Sequence, residues 1–437
     1  MTRVLTGSVS GHAGKSVNIQ GWLHKKRLLG GLTFILVRDR SGTVQVVVKD
    51  KDEVEKLRGM QVGTVLDITG TAKAEPRAPG GAEIHDSKLQ VLVPVTDEPP
   101  IEIDKPLDHK PDNLDTLLEN RVIGLRNLQE QAIFRVYAEA KEAIRQYFRE
   151  NEFTEINTPK LLPGATEGGA EVFKLDYFGK EATLAQSAQF YKQIMVGVFE
   201  RVFEINPTYR AEPSATTRHM TEFIHLDVEM GFVDFNQLME VAGNMLIEVV
   251  DDVWKNCKDQ LKLWDATKPA LPKKIPAIAL QEIHKMYSKA TGGNSNGERD
   301  MRPDEERWIC EYAKKNLGSE AVFVTDWPAD DMKFYHKAKD KNPGLAARFD
   351  LIFRGIEIMT GSMREHRYDV LLKQLKEKAK GDPKHPGFKY YLQAFQYGMP
   401  PHGGFAMGLE RLTEKLVGLN NVKEATLFPR DINRLAP

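Results

Sequence analysis

Over residues 1–100 apolar and polar residues alternate in five short runs, VNIQGWLHKK, TFILVRDR, GTVQVVVKD, VLDITGTAKA and LQVLVPV, separated by turn-forming residues. Successive side chains of a strand point to opposite faces, so a period of two marks strands rather than helices. Five such runs at this spacing predict a small barrel. The pattern then stops. Residues 98–127, EPPIEIDKPLDHKPDNLDTLLENRVIGLRN, carry Pro and Asp with little periodicity, and 101–128 read as a linker or hinge. Beyond it, Ile133, Val136, Tyr137, Ala140, Ile144, Tyr147 and Phe148 fall on one face of a helix. From 129 to 437 strands and helices mix without regular βαβ alternation. That predicts an α+β domain, a mainly antiparallel sheet with helices packed on it.

The 437 residues suffice for two or three domains, at 41% hydrophobic and 28% charged residues. A net charge of -1 argues against a general polyanion binder. Residues 1–100 hold 14 Lys and Arg against 11 Asp and Glu, a net of +3 that reads as an ordinary solvated surface. Cys257 and Cys310 are too few and too far apart for a disulfide framework or a zinc site, which fits a reducing cytoplasm. No basic-then-apolar leader and no bilayer-length apolar run is present, so a cytoplasmic location without a membrane partner is expected. GHAGKSV, Gly11 to Val17, resembles a phosphate loop only superficially: Val9 stands where the first glycine belongs, and no helix is expected to follow.

One charged stretch asks for a function. In YRAEPSATTRHMTEFIHLDVEM, Tyr209 to Met230, a strand RVFEINPTYRAE leads through a polar loop into a second strand, IHLDVEM. Alternation puts Arg210 and Glu212 on one face. In the return strand Ile224, Leu226, Val228 and Met230 share one face, and His225, Asp227 and Glu229 the other. A charged sheet face is a binding floor if it is buried, because buried charges need partners. On spacing alone it reads equally as a salt-bridged or solvent-facing surface.

Three further segments bear on that choice: FTEINTPKLLPGATEGGAEVF (153–173), YFGKEATLAQSAQFYKQ (177–193), and the pair FDLIFRGIEIMTGSMREHRYD (349–369) with PPHGGFAMGLERL (400–412). Together with the hairpin, and in this order, they resemble the signature motifs of class II aminoacyl-tRNA synthetases. The likeness covers nearly the whole chain and is nearest to aspartyl enzymes of the archaeal type. It implies activation of L-aspartate by ATP and transfer to the 3′ end of a tRNA. By this resemblance Arg210 grips the α-phosphate and the substrate carboxylate, for which its planar fork suits better than lysine. Glu212 holds the adenine amino group and Phe223 stacks on the ring. Arg218 and His219 meet the outer phosphates, and Arg411 holds the γ-phosphate. Asp350, Glu357 and Thr360 are the implied Mg2+ ligands, with Thr360 standing where the family usually has Ser; without the family pattern Asp350 and Glu357 would read as surface charge. Glu357 is also implied in ATP binding.

Amino-acid choice follows from charge. An aspartate side chain calls for fixed cations, and Lys192 and Arg364 stand where aspartyl enzymes place that clamp. Glu167, Ser187, Gln189 and Asp227 are expected around the α-amino group, with Glu167 in a Gly-rich loop suited to closure. Desolvated cations facing a neutral amide would be left unpaired, a discrimination of roughly 10⁴-fold by analogy with other sites built for a polar group. Met363 replaces a residue that is often Gln in the family.

The N-terminal barrel resembles the oligonucleotide-binding (OB) fold that reads the anticodon in this family. Phe34 is the expected stacking platform, Gln45 a base-edge partner and Arg27 a phosphate contact. Without the resemblance Phe34 reads as a core aromatic. His24 and Pro79 resemble the versions that accept both tRNA(Asp) and tRNA(Asn), whose Asp-tRNA(Asn) an amidotransferase then converts. Pro159 matches the motif that builds the homodimer interface of the class, although a lone Pro after a helix is usually only a helix stop. Three rivals remain: a strict aspartyl enzyme differing only at the anticodon site, an asparaginyl enzyme, disfavoured by Lys192, and a tRNA-independent asparagine synthetase-like ligase, disfavoured by the barrel. A catalytically dead RNA binder would be expected to lose Arg210, Glu357 or Arg411.

Overall fold

The computed structural model describes residues 2–29, 32–164, 171–213 and 216–437, and the chain divides into two compact units, Met1–Gln131 and Ala132–Pro437. In the first unit five strands, β1 (Ser16–Leu29), β2 (Leu32–Asp39), β3 (Gly42–Val48), β4 (Val65–Ala74) and β5 (Ala82–Val93), close a barrel in the order β1-β2-β3-β5-β4. The inward residues of each alternation, among them Ile19, Ile35, Val37, Val46, Ile68 and Ile84, fill it. Ser16 opens a strand rather than a helix, so GHAGKSV is no phosphate loop. A β-bulge between Leu23 and Lys25 breaks the β1 alternation at His24.

The stretch read as a hinge holds two short helices, Leu114–Glu119 and Arg121–Gly124, and belongs to the first unit. Helices this short are not stable on propensity alone. A buried ion pair fixes them: Arg121 Nη1 donates to Glu130 Oε2 at 2.6 Å.

The second unit is built on an eight-stranded, mainly antiparallel sheet. Its strands are β6 (Thr154–Glu155), β7 (Arg201–Tyr209), β8 (Glu222–Gly231), β9 (Ala277–Ala279), β10 (Ala321–Thr325), β11 (Arg348–Phe353), β12 (Ile356–Met363) and β13 (His402–Gly408). They lie in the order β9-β10-β11-β12-β13-β8-β7-β6. The helix Leu128–Glu150, within which the division falls, buries Ile133, Val136, Ala140, Ile144, Tyr147 and Phe148 in the core of this unit, with Tyr137 half-buried at its edge. The helix Phe235–Asn256 packs on the same core. Leu226, Val228 and Met230 of β8 face this apolar layer. The strand is central, between β7 and β13, and its other face is buried as well, under side chains from outside the sheet's apolar layer.

Candidate active site

That second face carries His225, Asp227 and Glu229, all under 10% exposed. Their partners arrive from two directions. The helix Gln189–Phe199 crosses the sheet and brings Lys192, whose ammonium donates to Asp227 Oδ1 at 2.7 Å and lies 3.8 Å from Glu229 Oε2. The end of β12 brings Arg364, whose Nε and Nη2 fork onto the two Glu229 oxygens at 2.8 and 3.1 Å. Its Nη1 donates to Ser362 Oγ at 2.7 Å. One buried carboxylate therefore gathers both cations. Burial pulls Asp227 upward, but Lys192 and His225 outweigh it and hold the carboxyl well below its usual range. The bare backbone of Gly404 on β13 makes the room: a side chain there would collide with the Glu229 carboxylate and the Val228 carbonyl.

A cavity of about 600 Å³ opens over this floor. Gln189, Lys192, Arg364, Arg210, Glu212, Arg218, His219, Phe223, Glu357, Thr360 and Arg411 all line it. Ladder pairing of β7 with β8 ends at Tyr209↔Glu222, so Arg210 and Glu212, expected within the strand, lie just beyond it. Arg210 sits 5.5 Å from the Phe223 ring centroid and 4.0 Å from Glu212. Arg218 donates to Glu306 Oε2 at 2.7 Å, and Arg411 to the Glu357 carbonyl at 2.8 Å. Burial, with Arg411 nearby, pushes His219 below the usual histidine range.

The β11–β12 hairpin sets Asp350 directly opposite Thr360, whose hydroxyl donates to Glu357 Oε1 at 2.9 Å. Burial, reinforced by Glu357 and opposed by Arg348, raises Asp350 to about 7. Among the described residues no three His, Cys, Asp or Glu side chains form a metal cage. Two carboxylates and a hydroxyl suit Mg2+ shared with a nucleotide, since that ion keeps waters and needs only one or two protein carboxylates.

Ser187 and Asp227 do not line the cavity themselves: Ser187 accepts the Gln189 N–H at 3.0 Å, and Asp227 lies behind Lys192 and His225, which do. Glu167 lies outside the described residues. Met363 is buried in the core beside Arg364. Pro159 is exposed. Four contributors had no role assigned from sequence: Glu229, Arg348, His336 and Glu410. Alternation had already placed Glu229 on the polar face. His336 lines the cavity, held neutral by burial and by Arg364 and Arg348. Glu410 accepts the Ile224 N–H at 3.0 Å, and burial raises its carboxyl to about 7.

On the barrel, Phe34 and Gln45 are half-buried on the outer face, the core-aromatic alternative having been filled by Ile35. Phe34 pairs across β1 with exposed Arg27. Gln45 donates to Glu83 Oε1 at 2.6 Å. Pro79 is exposed. His24 is turned inward at its bulge, and burial beside Arg38 lowers it to about 4.

Residues 113–432 match the family of class II tRNA synthetases (D, K and N), and residues 17–92 the OB-fold nucleic acid binding domain. The aspartate–tRNA(Asp/Asn) ligase of Thermus thermophilus is 42% identical, with 100% of both chains covered. That of Saccharolobus solfataricus is 40% identical over 97% of this chain and 96% of its own. Asparaginyl-tRNA synthetase from Pyrococcus horikoshii, solved with asparaginyl-adenylate, superimposes with a TM-score of 0.91 at 32% identity, covering 100% of both chains. A putative aspartyl-tRNA synthetase from Leishmania major superimposes with a TM-score of 0.89 at 25% identity, covering 100% of this chain and 95% of that one.

Proposed function

The chain belongs to the class II tRNA synthetases of the D, K and N group, and we propose that it activates L-aspartate with ATP and transfers the aspartyl group to tRNA(Asp) and tRNA(Asn). The observation that carries this reading is the convergence of Lys192 and Arg364 on Glu229, in the cavity that Arg210, Glu212, Phe223 and Arg411 also line. Lys192 and Arg364 take the side-chain carboxylate of the substrate. Aspartate brings an ammonium as well, which Gln189, Asp227 and Glu167 accept, with Ser187 behind them holding Gln189 in place. The amino acid thus adds one positive and one negative group to a floor that is already charge-balanced, and its α-carboxylate is left for chemistry. An asparaginyl enzyme, although structurally close, reads a neutral amide, which offers Lys192 a weaker acceptor than a carboxylate does.

Chemistry needs no protein nucleophile. An α-carboxylate oxygen of aspartate attacks the α-phosphorus of ATP, and the bond to pyrophosphate breaks. A ribose hydroxyl at the tRNA 3′ end then attacks the carbonyl carbon, and AMP leaves. The protein positions these groups and neutralises charge. Arg210 steadies the α-phosphate and the attacking carboxylate. Glu212 and Phe223 hold adenine, and Arg218, His219 and Arg411 hold the outer phosphates. Asp350, Glu357 and Thr360 would hold Mg2+, which supplies charge neutralisation at the phosphates.

For the tRNA, Phe34 stacks on an anticodon base while Gln45 and Arg27 contact its neighbours. His24 and Pro79 support acceptance of both anticodons. A cytoplasmic homodimer, with an amidotransferase acting on its Asp-tRNA(Asn), completes the reading. Exposed Leu161, Val198, Phe199 and Phe232 support the dimer, and among the described residues no helix is long and apolar enough to cross a membrane. Two measurements test the reading. ATP–pyrophosphate exchange should require aspartate, with asparagine inert. Purified tRNA(Asp) and tRNA(Asn) transcripts should be charged within about tenfold of each other, the scale of ~1.4 kcal/mol. A hundredfold preference for tRNA(Asp) would leave a strict aspartyl enzyme.

A further inference from the structure

Arg348 is a charged group of the cavity wall that the roles above leave over. It opens β11 and turns back on Asp350 of the same strand. Nη2 donates to Oδ2 at 2.7 Å and Nε approaches Oδ1 at 3.3 Å. The guanidinium also lies over the Trp327 ring, 4.3 Å from its centroid. That ring is itself pinned, its indole N–H donating to the Val324 carbonyl at 3.1 Å. A planar cation stacked on a fixed aromatic and forked onto a carboxylate is held in place, which a surface lysine would not be.

Asp350 is 2% exposed, and its two oxygens are both engaged by this one side chain. A divalent cation at Asp350 must take at least one of those oxygens. Glu357 differs: among the described residues only the Thr360 hydroxyl donates to it at hydrogen-bond distance, and Arg411 stands off at 3.9 Å. We infer that Arg348 is a positioning residue that competes with the divalent metal for Asp350, so that metal enters on the Glu357 side and reaches Asp350 only as the guanidinium yields. This rests on the reading that Asp350, Glu357 and Thr360 face the metal. It adds that the pair of carboxylates is kept neutralised and in place before any metal arrives, at the expense of metal affinity.

A merely structural arginine would weaken metal binding when removed, whereas a competitor strengthens it. The full nucleotide-free chain is titrated with Mn2+, and bound metal is read from the loss of the free-ion paramagnetic resonance signal. Arg348→Met should bind Mn2+ about tenfold tighter than the wild type, the scale on which partners of metal ligands shift affinity. Arg348→Lys, which keeps a charge and loses the fork, should fall between. Adding Asp350→Asn to Arg348→Met should remove the gain. Equal, weaker or undetectable binding by Arg348→Met overturns the inference, as does a gain that survives Asp350→Asn. Should Arg348→Met fail to fold by circular dichroism, Arg348→Lys decides alone, and equal or weaker binding overturns it. Aspartate-dependent exchange by the wild type tests the proposed function separately. If exchange is present and the Mn2+ gain absent, only the role of Arg348 falls.

Discussion

The floor of the catalytic cavity and the outer face of the barrel offer recognition by opposite means. On the floor the charges are buried and paired in advance. Lys192 is 1% exposed and Arg364 4%, each already held by Asp227 or Glu229. On the barrel, Phe34 and Gln45 are half-buried, and only Glu83 holds Gln45 at hydrogen-bond distance among the described residues. The contrast follows from the ligands. A free amino acid is small and carries its identity in two or three charges. Those are told apart only by fixed charges in a place where water does not screen them. A nucleotide base brings a broad π-face and its own hydrogen-bonding edges, so a surface that offers one ring and one amide suffices.

Breaking the floor should therefore do the most damage. Lys192→Leu leaves Asp227 and Glu229 without one of their two cations and removes half of the proposed carboxylate clamp. Aspartate-dependent pyrophosphate exchange, measured per folded molecule, should fall by roughly 10⁴-fold in kcat/KM. Retention of full activity would show that the clamp lies elsewhere. Such a break also costs stability, about 3–5 kcal/mol for a buried pair deprived of one partner. Glu410 gives the next largest effect, in stability rather than rate. Its carboxyl titrates near 7 in the fold against an ordinary 4.5, because burial disfavours the charge. Between those values the native state keeps a proton that the unfolded chain has lost, so stability falls as pH rises from 4.5 to 7 and levels off above. Glu410→Gln lacks this term. Its unfolding free energy relative to wild type should rise by ~3 kcal/mol across that window, read by urea denaturation at pH 4.5 and 7.5. A constant difference would mean that burial does not raise the carboxyl above its unfolded value.

How much of each region was legible in the sequence depends on how local its cause is. The barrel was legible because strand alternation is a local property, and the two faces of β8 were legible for the same reason. The bulge at His24 was not, since one extra residue reverses which side a side chain faces without changing composition. The helices at 114–124 were not legible, because Glu130, which anchors them, lies beyond the segment. Glu229 could be assigned to a polar face but not to a role, because its partner Arg364 is 135 residues away in sequence. Glu410 and Arg411 are neighbours on one helix and both line the cavity, but Glu410 accepts the Ile224 N–H while Arg411 donates to the Glu357 carbonyl. Only the packing separates a carboxylate that accepts from the sheet backbone from a guanidinium that reaches the Glu357 carbonyl. Nothing local in the sequence singles out Arg348, whose setting depends on the Trp327 ring beneath its guanidinium and on Asp350 beside it.

The barrel face gives the smallest and most separable effect. Phe34→Ala removes the proposed stacking platform from a half-exposed position beside, not within, the apolar layer of Ile35 and Val37, so the barrel should fold as before. Stacking of one base is worth ~1–3 kcal/mol, which puts the expected rise in KM for tRNA between about fivefold and a hundredfold. Pyrophosphate exchange uses no tRNA and should keep its wild-type rate. The two assays thus divide the molecule along the line of the comparison, since Lys192→Leu abolishes both and Phe34→Ala moves one. If Phe34→Ala left KM for tRNA unchanged, the outer face of β2 would be a solvated barrel surface. The anticodon would then have to be read from another side of the barrel, and His24 and Pro79 would lose their bearing on which tRNA is accepted.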